Sequence, residues 1–253
     1  MTFSLAPYAN EIAIGIAIFC RIGAMMMVAP GFGDFSLSPR VRLAAALLVT
    51  VALFPTLASA FPSGLTQIGI TTLIFTETAT GLFFGIAARI FVSALNVAGQ
   101  IIALQIGLSL AQAFDPTQEL QGAIIGGFLA ILGTTMVFML DLHHLLIGAV
   151  VQSYGVFAPA TLPPISDGAA FLIQTLAESF GLGARLAAPF VVFGLVFYIG
   201  AGVLNRLMPQ AQIFFAVMPA NLLIGLLLLM LTTGLMMTAF LDSFEVFLTG
   251  LLG

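Results

Sequence analysis

The cluster Asp141-Leu142-His143-His144 contains both histidines of the chain, and its side chains could bind a metal ion. Imidazole and carboxylate groups are common zinc ligands. Histidines that bind one metal from a helix lie four residues apart, whereas adjacent helical positions point about 100° apart. Asp141 can reach His144 three residues later, and such a pairing, or a helix end that faces water, accounts for the cluster. We therefore predict no metal ligands and no cofactor.

A second concentration of polar side chains lies at residues 98–119, AGQIIALQIGLSLAQAFDPTQE, inside an otherwise apolar sequence. On a regular helix, three of them share one stripe: Gln105, Ser109 and Gln112. Pro116 disfavours helix at Asp115, which can then cap a new helix. The pattern predicts a helix, a sharp break and a second helix. On chemistry alone it favours a polar turn between packed helices.

Other patterns of catalytic chemistry are missing from the sequence. It contains no glycine-rich phosphate loop, no nucleophile elbow and no pair of active-site carboxylates. The single cysteine, Cys20, lies in an apolar run and is typical of a small core residue. We therefore predict that the protein is not an enzyme.

The composition is that of an integral membrane protein. Hydrophobic residues make up 61% of the 253 residues and charged residues 6%, against about a quarter charged in soluble domains. The chain has no lysine, so it lacks a polybasic patch for nucleic acid. No positive charge precedes the first apolar run, so we expect no cleaved secretory signal.

Six apolar stretches are long enough to cross a hydrocarbon core of about 30 Å. They cover residues 12–28, 41–61, 67–111, 123–154, 169–204 and 213–252. The third stretch would be about 65 Å long as one straight helix. It must either turn back near Gly81, Gly85 or Gly99, or pack inside a larger protein assembly. The sequence thus predicts an all-α, polytopic membrane protein with about six long helical segments, some broken or hairpin-like.

Charged residues within these stretches are costly unless they are paired or in contact with water. Among them are Arg21, Glu77, Arg89, Asp141, Glu178 and Arg185. Arg21 and Glu77 are plausible partners between helices, and Glu178 and Arg185 share a helix face. The acids form no continuous row of the kind that a proton relay needs.

Glycines four residues apart occur at Gly81 and Gly85 and at Gly122 and Gly126. This spacing lets helix backbones approach closely. It fits a contact within the chain or a contact with a partner equally well.

Nearly the whole chain resembles the FliR family of flagellar export-gate proteins, whose relatives serve type III secretion systems. Three blocks of residues carry the resemblance: Arg21 with 29–33 and 38–42; Gly99-Gln100 with 105–109 and 114–116; and Arg206 with 209–214 and 218–219. Relatives commonly have a lysine two places after the last proline of the third block, where this chain has Asn221.

The resemblance implies a subunit of the flagellar type III protein-export gate, which helps form and plug the channel through which unfolded flagellar proteins leave the cytoplasm. Its implied partners are FliP and FliQ homologues in one helical assembly, with FlhB and FlhA alongside, in the inner membrane at the flagellar basal body. Residues 1–180 would resemble FliP, and residues 181–253 would resemble the FliQ hairpin, with its tip near 206–219. An alternative from another class is a self-contained small-solute or ion transporter.

The resemblance also assigns roles to residues. The pore plug would lie within 107–118 and include Gly107, Leu110, Phe114, Asp115 and Pro116. Residues with a structural or interface role would be Arg21, Pro30, Pro39, Gln100, Gln105, Arg206, Pro209, Gln210 and Pro219. With this family in view, the stretch 98–119 is better interpreted as a pore plug than as a polar turn.

Overall fold

The computed structural model describes residues 9–34, 37–61, 67–108, 121–161, 164–208 and 213–252, which contain helices and no strand. Eight α-helices follow one another along these segments: α1 Ala9–Val28, α2 Pro39–Leu57, α3 Gln67–Val92, α4 Ala94–Gln105, α5 Gln121–Met139, α6 Leu142–Val156, α7 Ile165–Leu207 and α8 Ile213–Leu252. A short 3-10 turn, Ala58–Ala60, follows α2.

The described helices include five spans that are long and apolar enough to cross a membrane. The count becomes six if the bent pair of α5 and α6 is one span. This confirms the predicted all-α, polytopic membrane architecture. The long third apolar stretch becomes α3 and α4, which are interrupted only at Ser93. Gly81, Gly85 and Gly99 all lie inside these helices, so the first of the two alternatives, a reversal at one of these glycines, does not occur.

Helices α7 and α8 have 43 and 40 residues. At about 1.5 Å per residue, each is roughly twice as long as the hydrocarbon core is thick. The fifth and sixth apolar stretches therefore do form helices too long for a simple span.

The fourth apolar stretch is interrupted at Leu140 and Asp141. Asp141 has a φ of 58°, in the left-handed region, where aspartate is tolerated better than most residues. Its backbone N–H donates to the Phe138 carbonyl at 3.3 Å, and its own carbonyl accepts from the His144 N–H at 2.9 Å. These bonds end α5 and start α6.

The described residues form two compact units, and the first comprises Met1–Phe91, Phe138–Thr175 and Glu245–Gly253. Helix α1 packs here against α2 and α6. The fully buried residues of α1 recur at helical spacing: Ala17, Ile18, Ile22 and Met25. A Cβ at Gly81 would meet the Arg21 carbonyl oxygen, and a Cβ at Gly85 would lie 2.8 Å from the Met25 carbonyl oxygen. This glycine pair therefore serves a close contact within the chain, between α1 and α3.

The second unit comprises Val92–Val137 and Leu176–Phe244. Helices α4 and α5 touch through backbone, since a Cβ at Gly99 would meet the Cα and N atoms of Gly126. The fully buried apolar side chains of this unit include Leu95, Ile102, Ile106, Phe190 and Phe240. Gly126 thus also serves a contact within the chain. The predicted division at residue 180 rests on likeness to two other proteins and stays a prediction.

Candidate functional site

The predicted plug segment begins where α4 ends. Gly107 has a φ of 80°, the Gly107 N–H donates to the Leu104 carbonyl at 3.3 Å, and the Leu108 N–H donates to the Ala103 carbonyl at 3.0 Å. These two bonds around a left-handed glycine form a Schellman motif, which ends a helix and satisfies its last carbonyls. The last residue of the helix is therefore Gln105, and Gly107 is the left-handed residue just beyond its end.

This placement corrects one part of the sequence interpretation. The amide stripe assumed a helix that continues from Gln105 to Gln112, but α4 ends at Gln105. The predicted break at Asp115 lies outside the described residues, together with Leu110, Phe114 and Pro116. Only Gly107 among the predicted plug residues is described. The glycine itself was the available signal, because glycine is the commonest residue just beyond a helix end.

Helices α7 and α8 hold the end of α4 in place. A Cβ at Gly194 of α7 would meet the side-chain amide of Gln105, and a Cβ at Gly225 of α8 would meet the side chain of Ile106. Both glycines thus leave room for the last side chains of α4. Gln105 and Ile106 are fixed against two helices immediately before the predicted plug.

A buried side-chain amide adds a polar contact to this packing of α7 and α8 against the end of α4. Asn221 of α8 is 3% exposed, and its Nδ2 donates to the Gln105 carbonyl oxygen at 3.1 Å. The same Nδ2 lies 3.4 Å from the Tyr198 hydroxyl of α7. The carbonyls of the last helical turn have no partner inside the helix, so Asn221 satisfies one of them. Asn221 therefore links α8 to the end of α4, immediately before the predicted plug.

We expect Asn221→Leu to weaken the packing of α8 against the end of α4 and so to lower the thermal stability of the chain. The change leaves the part-buried Gln105 carbonyl without its side-chain donor, and the loss of such a hydrogen bond costs about 1 kcal/mol. Thermal unfolding of the purified chain in detergent should shift to lower temperature. Asn205→Leu is the control, because Asn205 is exposed on α7. Equal shifts for the two variants would contradict a specific role for Asn221.

A buried ion pair lies in the first unit. The Arg21 guanidinium binds both carboxylate oxygens of Glu77, with Nε–Oε2 at 2.7 Å and Nη2–Oε1 at 2.9 Å. Arg21 also donates from Nη1 to the Ser153 hydroxyl at 2.9 Å and from Nη2 to the Phe157 carbonyl at 3.3 Å. Its Cζ lies 3.7 Å from the centroid of the Tyr154 ring. Arg21 thereby connects α1, α3 and the end of α6.

The other charged residues singled out within the apolar stretches differ from this pair in their exposure. Arg21 and Glu77 are fully buried, whereas Arg89, Asp141, Glu178 and Arg185 are exposed on this chain. Arg89 donates to the Val28 carbonyl at 3.4 Å, and Arg185 donates to the Gly181 carbonyl of its own helix at 3.4 Å. Within the described segments, the predicted Arg21–Glu77 pair is thus the buried ion pair.

The predicted proline positions in the first block lie at the connection from α1 to α2. Pro39 is the first residue of α2, and the Ser38 hydroxyl before it accepts from the Val41 N–H at 3.4 Å. Proline suits this position because the first helical N–H needs no partner in the helix. Pro30 follows α1, and Arg42 donates to the Asp34 carbonyl at 2.9 Å across the connection.

The remaining residues with a predicted structural or interface role are exposed on this chain or lie outside the described residues. Gln100 of α4, Arg206 in the last turn of α7 and Pro219 within α8 are exposed. Pro209 and Gln210 lie outside the described residues. The structure brings together Arg21 and Glu77, and separately Gln105 and Asn221. The cluster from which we predicted no metal ligands is also brought together, since ligand atoms of Asp141, His143 and His144 lie within 4.8 Å of one another.

Comparison with known proteins adds a relationship along the whole chain. Residues 12–247 match the family described as bacterial export proteins, family 1. The flagellar biosynthetic protein FliR of Caulobacter vibrioides is 40% identical over 225 residues, which are 88% of this chain and 90% of that protein. The FliR protein of Pectobacterium carotovorum is 30% identical over 90% of this chain and 87% of its own length. The FliR protein of Escherichia coli is 30% identical over 83% of this chain and 80% of its own.

Proposed function

Because the chain belongs to family 1 of the bacterial export proteins, we propose that it is a subunit of the flagellar type III protein-export gate. It helps form and plug the channel through which unfolded flagellar proteins leave the cytoplasm. The observation that carries this proposal is the 40% identity to a flagellar biosynthetic protein over 88% of the chain. The role involves no catalysis.

Its partners are FliP and FliQ homologues, with FlhB and FlhA alongside, in the inner membrane at the flagellar basal body. The described surface supports the need for partners. In the apolar windows of α7 and α8, only 22% of residues are buried within this chain, although both helices are far longer than a bilayer is thick. Sister subunits that cover the excess length would remove this mismatch.

The plug begins at Gly107. The Schellman motif at Gly107 ends α4, and the contacts of Gln105 and Ile106 hold that end against α7 and α8. A segment that seals a pore has to be anchored at one end if its other part is to move in and out of the pore. Bulky apolar side chains at Leu110 and Phe114 would then narrow the pore against ions.

We expect deletion of residues 110–118 to raise the ion permeability of cells that carry the gate. The reason is that the deletion removes the apolar side chains of the seal and leaves α4 and its anchor. The measurement is growth and membrane potential in cells exposed to an ion gradient. Replacement of the same nine residues by a glycine-serine linker separates loss of the seal from loss of chain length.

Normal assembly of the gate together with unchanged permeability in both variants would overturn the assignment of the plug. The subunit assignment is tested separately, by secretion of flagellar proteins in a strain without the chain. That strain should secrete none of them and should recover on return of the wild-type chain.

A further inference from the structure

We propose that Asp141, His143 and His144 form a binding site for one divalent transition-metal ion, with zinc as the ion of best fit. The chain has two histidines in 253 residues, and both belong to this cluster. One ring nitrogen of each histidine and one Asp141 carboxylate oxygen lie within 4.8 Å of one another. Two imidazoles and one carboxylate, with a fourth position open to water, are a familiar zinc ligand set.

The break between α5 and α6 brings Asp141 beside the first turn of α6, where both histidines lie. His143 and His144 are adjacent in this turn, and their rings lie side by side although their Cα–Cβ bonds point about 100° apart. Here α6 begins at Leu142, and Asp141 precedes it in the left-handed conformation. The two imidazole centroids lie 4.1 Å apart with an angle of 37° between the rings. Asp141 Oδ1 lies 3.7 Å from His144 Nδ1.

Packing fixes one ligand and leaves the other two free to adjust. The His143 ring stacks on Phe138, with centroids 4.9 Å apart, and Phe138 contacts Phe32 edge-on at 5.0 Å. The side chains of His144 and Asp141 are 67% and 74% exposed. Zinc bonds of about 2.1 Å place neighbouring ligand atoms about 3.4 Å apart in a tetrahedron. The exposed side chains of His144 and Asp141 have to rotate to reach that spacing, and the His144 ring also has to turn its nitrogen lone pair, which lies in the ring plane, towards the ion.

The electrostatics of the break suit a cation bound by an acid and neutral imidazoles. Asp141 supplies the negative charge, and the last carbonyls of α5 point their negative ends towards the break. The N-terminus of α6 acts in the opposite sense, but its His144 N–H is already bonded to the Asp141 carbonyl at 2.9 Å. A bound ion would connect Asp141 to the first turn of α6 and so hold the break in one geometry.

The test is zinc binding by the full-length chain, purified in detergent with an affinity tag that contains no histidine. Equilibrium dialysis against zinc chloride, followed by elemental analysis, should give one zinc per chain. His144→Gln and Asp141→Asn should each weaken binding about tenfold or more, since even residues that only support metal ligands cost 10- to 100-fold when removed. Magnesium at the same concentration should not bind, because it prefers oxygen ligands and ordered water.

Asp167→Asn is the matched control, because it removes another exposed acid outside the cluster and should leave zinc binding unchanged. Both test variants change exposed side chains, and asparagine tolerates the left-handed conformation at position 141. Wild-type elution volume and helix content should therefore be retained. Absence of zinc from the wild-type chain, or equal binding by the wild type and both test variants, would overturn the proposal. Neither result bears on the export function.

Discussion

Arg21→Ala is expected to be among the most damaging single substitutions in this chain, with a loss of about 3–5 kcal/mol of stability. The change leaves the Glu77 carboxylate fully buried without its bidentate partner and removes the donors to Ser153 and the Phe157 carbonyl. An uncompensated buried charge is costly because the interior cannot replace the lost water. Thermal unfolding in detergent and abundance in the membrane should both fall sharply.

The control for this prediction is Arg89→Ala, which removes an exposed arginine whose bond to the Val28 carbonyl is 3.4 Å long. It should have little effect on the unfolding temperature. The double substitution Arg21→Met with Glu77→Leu should recover part of the loss, because removal of both charges leaves neither one unpaired. Comparable loss of stability in the Arg21 and Arg89 variants would contradict the structural importance of the buried pair.

Gly99→Val is the second substitution from which we expect a large loss, of about 3 kcal/mol or more. The new Cβ would meet the backbone of Gly126, and backbone cannot rotate away as a side chain can. Helices α4 and α5 would have to separate, and buried Leu95 of α4 would lose its packing against Gly133 of α5. The unfolding temperature of the purified chain measures the effect.

Gly127→Val provides a matched control on α5. A Cβ at Gly127 would have no atom within 4 Å, although the position adjoins Gly126. Replacement of glycine by valine inside a helix is otherwise mildly favourable, because glycine is the poorer helix former. Gly127→Val should therefore unfold at or above the wild-type temperature. A similar fall for both variants would show that the backbone contact at Gly99 is not what limits stability.

Much of the fold follows from the lengths of the apolar runs in the sequence. A run of about 20 apolar residues must form a helix in a bilayer because no water satisfies its backbone, and the described helices α1 and α2 lie where the first two apolar runs occur. The cost of buried charge also singled out Arg21 and Glu77 as plausible partners, which the structure confirms. Their pairing depends on tertiary packing, because 56 residues separate them.

Helix ends were predicted less well than helices. The helix break was predicted at Asp115-Pro116, although Gly107 already supplies the left-handed residue that ends α4. At Asp141 no proline or glycine marks the break, and the surrounding residues are as apolar as those of a continuous span. His143 and His144 are adjacent in the first turn of α6, yet their ring centroids lie 4.1 Å apart, because side-chain rotamers as well as helical position decide where two rings lie.

Contacts between distant residues could not be obtained from local patterns. Asn221 and Gln105 are 116 residues apart, and their hydrogen bond depends on how α4 and α8 pack. Family resemblance drew attention to both positions, but as separate features. In the structure, Asn221 and Gln105 are hydrogen-bonded at the end of α4, immediately before the predicted plug.

The most direct test of the central claim is to purify this chain in mild detergent from cells that express it at its natural level and to identify what accompanies it. As a gate subunit, it should elute as one large complex with FliP and FliQ homologues and should be degraded in cells that lack them. A stable monomer that elutes without either protein and binds a small solute would contradict the proposed function and favour a self-contained transporter.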